Sequence, residues 1–537
     1  MKTQKINRLI NSLLLLLFFA GITYAQDVQK GVRLYETDQF NKARTYFLEL
    51  AAANPSKPEV LYYTGEFFLK MGNKDSAKIF FNSAIKADDE NMYSLVAAGV
   101  LALMDNDKEK YDDFFKDAVK ANPKKTILAQ LRIADAYLAL GLVQSEEPID
   151  ILLKAKEVDR KNPRLYDIIG NIYFARNDGS KAIENYRMAK DFDRTYVMGH
   201  VGMGRVYNRT RNFGAAESSF NDAVLADSTH AVPYKELSEL NYGLKKYDKA
   251  VSNLKTYISL SEETLAINTL LVKYLYQNKS YNEAIDVCDK ILAKQPESLE
   301  IVQLKGYAFY KLDDYKGAAA AFGQYFAGVD EKKLSKIDYE YFANSLYRAG
   351  NEMQSVQYYL KLQELDTASF ENYGTIGDIY FKSNKWAETI QYYKLKEAKS
   401  GKGLSTKENY NLAFAYYRSG ELVLADTTFG LVIEKNPELA LAYFWRARAA
   451  SQIDSTLDSG LAKPHYEKFA ELALAQPDKY KTQIIEAYTY LGAYYIAKKD
   501  TPEFKKTWKD LSKAYWYKIQ AIDPGNKQAE EVLKNIK

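Results

Sequence analysis

The sequence predicts an all-α solenoid of about fourteen helix-turn-helix units, and three observations lead there. A spacing of 34 residues separates Gly31, Gly65 and Gly99. A longer series returns at the same interval, with Gly170, Tyr173, Ala182, Tyr186 and Ala189 reappearing as Gly204, Tyr207, Ala216, Phe220 and Ala223. Composition is the third: 45 Tyr and 25 Phe supply aromatic positions to every unit, while 27 Gly and 12 Pro leave little for long structureless stretches. A unit of this length holds two helices and their turns, and stacked units bury a core that none buries alone. The 537-residue chain therefore needs only one array, because the core of a solenoid grows in one dimension.

The units read off in order. From Gly31 the offsets give Leu34, Ala43, Phe47, Leu50 and Pro55; from Gly65, Phe68, Ala77, Phe81, Ala84 and Asp89; from Gly99, Ala102, Tyr111, Phe115, Ala118 and Pro123. Later copies read Val272, Leu275, Ala284, Cys288, Ile291 and Pro296, then Gly306, Phe309, Ala318, Phe322 and Tyr325, then Ala413, Tyr416, Ala425, Phe429, Val432 and Pro437. This order of small and large side chains resembles the tetratricopeptide repeat, and the resemblance covers almost everything after residue 26. It implies a right-handed superhelix of antiparallel helix pairs that binds a protein or peptide partner without catalysing a reaction.

Close packing explains the residue types. Small residues let backbones approach, so Gly170 and Ala182 are expected where the two helices of a unit cross, with Tyr173 and Tyr186 filling the space toward the next pair. Pro55, Pro123, Pro296 and Pro437 fall after the second helix, where a missing N–H ends one unit and starts the next.

The N-terminus differs in kind. Lys2, Lys5 and Arg8 precede an apolar run from Leu13 to Ala20 and then Thr23-Tyr24-Ala25, which reads as a secretory signal peptide over 1–25, cleaved after Ala25. The expected location is the periplasm, or outside the cell. That run is short for a bilayer, and no later stretch reaches the roughly 18 apolar residues a spanning helix needs, so no membrane span is expected. Gln26 stands where a bacterial lipoprotein requires Cys. Beyond the signal peptide, 26–398 is expected as a first repeat block, 399–407 as a flexible linker or hinge, and 408–537 as a second block. Extra residues occur near Gln144 to Pro148 and Gly328 to Lys336, and as insertions from Ile453 to Pro464 and Lys498 to Lys509. Removing Lys2, Lys5 and Arg8 takes the formal charge of +4 close to neutrality, so no basic footprint for nucleic acid is present. Cys288 is the sole cysteine, which excludes an intramolecular disulfide and suits it to the core.

Catalytic raw material is scarce, and neither enzyme activity, a cofactor nor a metal is expected. His200, His230 and His465 lie far apart. Gly199, Gly202 and Gly204 fall within a first helix rather than in a phosphate loop, and Ser400-Gly401-Lys402-Gly403 lacks the preceding strand and first glycine. Asp105, Asp107 and Glu109 mimic a calcium loop, but Lys110 replaces the turn glycine and Lys116 the bidentate Glu. Chaperone-binding members of the family hold a partner's C-terminal carboxylates with a clamp of Lys, Asn, Asn, Lys and Arg. Asn171 and Asn344 take the first Asn position here, but Asp167 and Glu340 stand at the Lys position, and Ile168 with Gly202, or Tyr341 with Thr375, replaces the second Asn, so that mode is not expected.

The inner groove remains. In the family, the position four after the small residue of the first helix faces the concave side; here it reads Tyr35, Leu69, Leu103, Leu138, Phe174, Asn208, Tyr242, Tyr276, Tyr310, Tyr347, Phe381 and Tyr417. With Arg205, Lys235, Lys273, Arg348 and Arg418 nearby, these would form a ladder of aromatic faces with cationic edges. Phe174, Arg205, Tyr242, Lys273, Tyr276, Tyr310, Tyr347, Arg348, Phe381, Tyr417 and Arg418 are the candidate binding residues. The expected ligand is an extended or helical segment of a protein partner, with rings as rigid anchors. The alternative is a glycan stacked on the same ladder.

Overall fold

The computed structural model describes residues 28–367 and 369–536; the expected signal peptide at 1–25 lies outside the described residues. Among the described residues run fourteen helical hairpins and a closing helix. The first eight hairpins are α1 (28–36) with α2 (Phe40–Ala53), α3 (Pro58–Lys70) with α4 (Lys74–Ala87), α5 (Met92–Met104) with α6 (Lys108–Ala121), α7 (Thr126–Ala139) with α8 (Glu147–Val158), α9 (Pro163–Ala175) with α10 (Gly179–Phe192), α11 (Val197–Arg209) with α12 (Phe213–Ala226), α13 (Ala231–Gly243) with α14 (Tyr247–Leu260), and α15 (Leu265–Gln277) with α16 (Tyr281–Lys294). The rest are α17 (Leu299–Lys311) with α18 (Tyr315–Gly328), α19 (Lys336–Arg348) with α20 (Glu352–Leu365), α21 (Glu371–Lys382) with α22 (Trp386–Ser400), α23 (Thr406–Arg418) with α24 (Leu422–Lys435), α25 (Ala440–Ile453) with α26 (Lys463–Ala473), α27 (Pro477–Ala497) with α28 (Trp508–Ile522), and finally α29 (Lys527–Asn535).

One turn geometry closes the first twelve hairpins. The residue seven after the small reference residue adopts a left-handed conformation in each, whether it is Gly72, Asn106, Asp313 or Lys279. The next N–H reaches back five residues, as from Asp107 to the Ala102 carbonyl (2.9 Å) or from Asp178 to that of Tyr173 (2.9 Å), satisfying the last carbonyls of the first helix. The same residue then opens the second helix: the Asp107, Asp178 and Asn212 side chains accept the N–H three positions on. Asp107 is thus a helix cap.

The small residues meet rings. A Cβ placed on Gly31, Gly65, Gly99, Gly170 or Gly204 would lie 2.3–2.6 Å from the ring sixteen residues later, Phe47, Phe81, Phe115, Tyr186 and Phe220 in turn. Gly202 presses on the other side of Tyr186, at 2.4 Å by the same measure, so Tyr186 is held between two hairpins and the glycine triplet is packing. Ala182, Tyr186 and Cys288 are fully buried. Tyr173 is only half-buried, with Arg176 and Lys181 over its ring, so it seals the edge of its hairpin rather than filling the interior.

The chain divides into two compact units at Leu304/Lys305, within α17. The first winds through a full turn. Arg33 on α1 donates to Asp227 beyond α12 (2.7 Å), Asp38 accepts from Lys235 on α13 (3.5 Å) and from the Tyr257 hydroxyl on α14 (3.0 Å), and the Asn41 N–H donates to Glu262 (2.8 Å). The first hairpin thereby meets the seventh, some 200 residues on. In the second unit, the end of segment 399–407 packs on its neighbours. Leu404 is buried and its carbonyl accepts from Lys435, while Ser405 and Glu408 cap α23 reciprocally. The insertion after α25 is folded round Asp454, whose carboxylate accepts the backbone N–H groups of Asp458, Ser459, Gly460 and Leu461.

Candidate functional site

In each unit the first helices of successive hairpins pack on one another, α7 on α9 and α9 on α11 in the first, α21 on α23 and α23 on α25 in the second, and this close spacing makes them the inner wall. Taking the small residue of each first helix as position zero, positions −2, +1 and +4 share the inner face. A register rule follows from the contacts: the residue at −2 lies against the +1 residue of the preceding hairpin. Arg205 meets Glu236 in this way, Asp378 meets Asn411, Tyr307 meets Tyr341, and Phe414 meets Trp445.

The candidate ladder is half-buried and already has partners within its own unit. In the first unit the Phe174 ring lies under the Arg209 guanidinium at 3.5 Å, and Tyr242 stacks on Tyr274 at 4.1 Å. Tyr242 and Tyr276 also take an edge contact from the ring five residues on, Tyr247 and Tyr281, which flanks the same turn. Arg205 Nε donates to Glu236 (2.7 Å) and Lys273 to Glu300 (2.8 Å), so these cations are paired. In the second unit Tyr310 and Phe381 repeat the turn contact with Tyr315 and Trp386. Lys382 lies over the Tyr347 ring at 5.0 Å and Gln452 donates to the Tyr417 hydroxyl (2.9 Å). Arg348 and Arg418, both exposed, sit over Tyr315 and Trp386.

Position +4 alone misses what these rings belong to. Tyr341 sits between Tyr307 and Tyr310, at 4.8 and 4.7 Å between ring centres. Trp445 sits in the same way between Phe414 and Tyr417, at 4.8 and 5.3 Å, with the Arg448 guanidinium 4.9 Å above it. Phe381 and Trp386 extend this second group. All five rings are half-buried, which leaves part of each at the surface. Reading −2 and +1 along with +4 would have found Tyr307, Tyr341, Phe414, Trp445 and Arg448.

Asn171 and Asn344, the apparent remnants of a carboxylate clamp, have a different task. Each accepts from the phenol fifteen residues later, Tyr186 (2.8 Å) and Tyr359 (2.7 Å), and Asp378 does the same for Tyr393 (2.5 Å). Where the large slot of the second helix carries Tyr rather than Phe, position +1 supplies the acceptor that a buried hydroxyl requires.

Inside the closed turn of the first unit the wall is charged. Arg132, almost wholly buried, donates to both oxygens of Glu66 on α3 (3.1 and 3.0 Å) and lies over the Tyr63 ring. Arg164 donates to Asp135 (2.7 Å). Burial pushes the Asp135 carboxyl up, but Lys70, Arg164 and Arg132 outweigh it and hold it below the usual range. Asp167 has the opposite balance. Burial raises its carboxyl to about 6, against Arg164 and the Tyr196 hydroxyl, which donates at 3.2 Å. A cavity of about 400 Å³ is bounded here by α1, α3, α7, α9, α11 and α13. Among the described residues no group of three or more His, Cys, Asp or Glu side chains is placed to hold a metal ion, and no helix is long and apolar enough to cross a membrane.

A family model described as tetratricopeptide repeat matches residues 28–91. The chain is 25% identical over 366 residues to the TPR repeat-containing protein MJ1428 of Methanocaldococcus jannaschii, covering 63% of each. The C-terminal part of a TPR repeat-containing protein from Cytophaga hutchinsonii is 33% identical, with 49% of this chain and 98% of that one covered, at a TM-score of 0.38. YrrB, described as a TPR protein with an unusual peptide-binding site, is 17% identical over 33% of this chain and 91% of its own, at a TM-score of 0.30. The chain spans a little under two thirds of the length of the first curated relatives it matches.

Proposed function

Because the chain belongs to the tetratricopeptide repeat family, we propose that it is a non-enzymatic protein-interaction scaffold of the cell envelope, capturing a partner segment on the inner helices of its second unit. The observation that supports this reading is the convergence of Phe414, Tyr417 and Trp445 into one half-exposed aromatic surface edged by Arg418 and Arg448. Rigid rings offer large contact area at small entropic cost, and guanidinium groups at the rim align carboxylates or backbone carbonyls. Capture from solution rather than from within a bilayer fits an exported protein released from a signal peptide at Ala25.

A photo-crosslinking residue at Tyr417, or at Ser451 on the same face, should capture one discrete protein in intact cells. The control is Val423, exposed on α24. A product that forms from Val423 and not from the inner face would place the partner elsewhere on the chain. The absence of any protein adduct, with retention on a glycan array that Trp445→Ala abolishes, would favour a sugar ligand. Amino-terminal sequencing of the envelope fraction tests export: Gln26 should come first, and an intact Met1 would contradict cleavage.

A further inference from the structure

The cavity inside the closed first turn contains a charge imbalance that the fold itself does not resolve. Each cation lining it has a carboxylate: Lys70 has Glu66 and Asp135 (3.7 and 3.9 Å), Arg164 has Asp135, and Arg205 has Glu236. Asp38 at its mouth is matched by Lys235. Asp167 is different. It is only 8% exposed, it lines the cavity, and its one hydrogen bond comes from a neutral phenol, with no cation within ion-pair distance. A carboxylate withdrawn from water without a cation is unfavourable, and a positive group entering the cavity relieves it. The Tyr35 ring in the same wall already takes the Lys70 ammonium near its face, at 5.8 Å, which shows the lining suited to positive charge. A volume of about 400 Å³ lies in the range of small-ligand sites and is too small for a helix.

We propose that the closed first turn is a ligand site, separate from the aromatic surface of the second unit, in which the Asp167 carboxylate receives an ammonium or guanidinium group carried on a short chain. The group can belong to a free amine or to a basic side chain. In both cases the charge pairs with Asp167 while the chain lies along the aromatic and aliphatic wall.

The test is calorimetric titration of the full chain at neutral pH with agmatine, putrescine and Nα-acetyl-lysine amide, with n-butanol as the uncharged control. At least one cation should bind with one-to-one stoichiometry and butanol should not. Success of the two free amines alone identifies a small-molecule site, and success of the lysine amide a basic side chain. Asp167→Asn should weaken binding at least tenfold. Tyr196→Phe, which removes the one donor to Asp167, should tighten it, giving a second readout if Asp167→Asn does not fold. Failure of every cation to bind in the millimolar range, or binding that neither substitution changes, overturns the proposal. The crosslinking result for the second unit is independent of all these outcomes.

Discussion

Asn171 shows how one side chain can pass for a ligand-binding group while serving the core. Its amide oxygen satisfies the Tyr186 hydroxyl, which is otherwise enclosed between Gly170 and Gly202. Asn171→Leu should therefore cost about 1–3 kcal/mol in urea unfolding, the penalty for leaving a buried hydroxyl unpaired. Adding Tyr186→Phe should restore most of it, and losses that merely add would show that the hydrogen bond is not the cause. Asp167 makes a prediction of opposite sign. Its carboxyl titrates at about 6 in the folded chain against the ordinary 3.8, so the folded state binds more protons between those values and stability falls as pH rises through the window. Asp167→Asn should then stabilise the protein at pH 7.5, by about 3 kcal/mol if the whole shift is relieved. The gain should vanish near pH 4, and a gain independent of pH would point to packing instead.

At the level of the hairpin, the turn imposes a conformation that its sequence often resists. Lys245 and Lys279 occupy the left-handed position, with φ of 58° and 60°. That geometry costs an ordinary residue roughly 1–2 kcal/mol, of which glycine's greater unfolded-state freedom cancels about 0.5–1. Lys245→Gly and Lys279→Gly should each raise stability by up to about 1 kcal/mol in chemical denaturation. A loss would mean that the lysine side chain makes contacts outweighing the strain. The aromatic pairs across these turns matter in the other direction. Tyr242 is held by both Tyr247 and Tyr274, so Tyr242→Ala should destabilise the chain by about 1–3 kcal/mol before any ligand is considered. Binding assays on such variants need folded-fraction controls.

At the scale of the whole molecule, stability in a stacked array comes from neighbours, and an end hairpin has only one. The contacts of Arg33, Asp38 and Asn41 with the seventh hairpin give α1 and α2 a second set of partners, though mostly exposed ones. Arg33→Ala should change global stability by less than about 1 kcal/mol, as exposed ion pairs do. Hydrogen exchange in α1 and α2 should nevertheless accelerate, and raised salt should produce a similar acceleration in the unaltered chain. Exchange that stays uniform across the first unit would mean that stacking on α3 alone holds the end hairpin.

The sequence by itself determined the helical hairpin, its repeat and its core. Those depend on local periodicity and on pairs such as Gly31 with Phe47 or Gly204 with Phe220, which stand sixteen residues apart in most units and so print a visible pattern. It also placed Cys288 and Ala182 in the interior, and the Gly199 to Gly204 stretch on a helix. Only the tertiary structure decided what the inner face presents. The partners of Arg205, Tyr307 and Phe414 come from the next hairpin at separations of 31 to 34 residues, varying with each connecting link, and a rule fixed on position +4 passes over them. The left-handed turn was hidden for a related reason: backbone closure demands the conformation, and Gly, Asn, Asp, Lys and Arg all meet the demand at different cost. Least legible was the closed turn itself. The angle between neighbouring hairpins is a small quantity set by many contacts, and only its accumulation over six of them brings Asp38 to Lys235 and encloses the cavity beside Asp167.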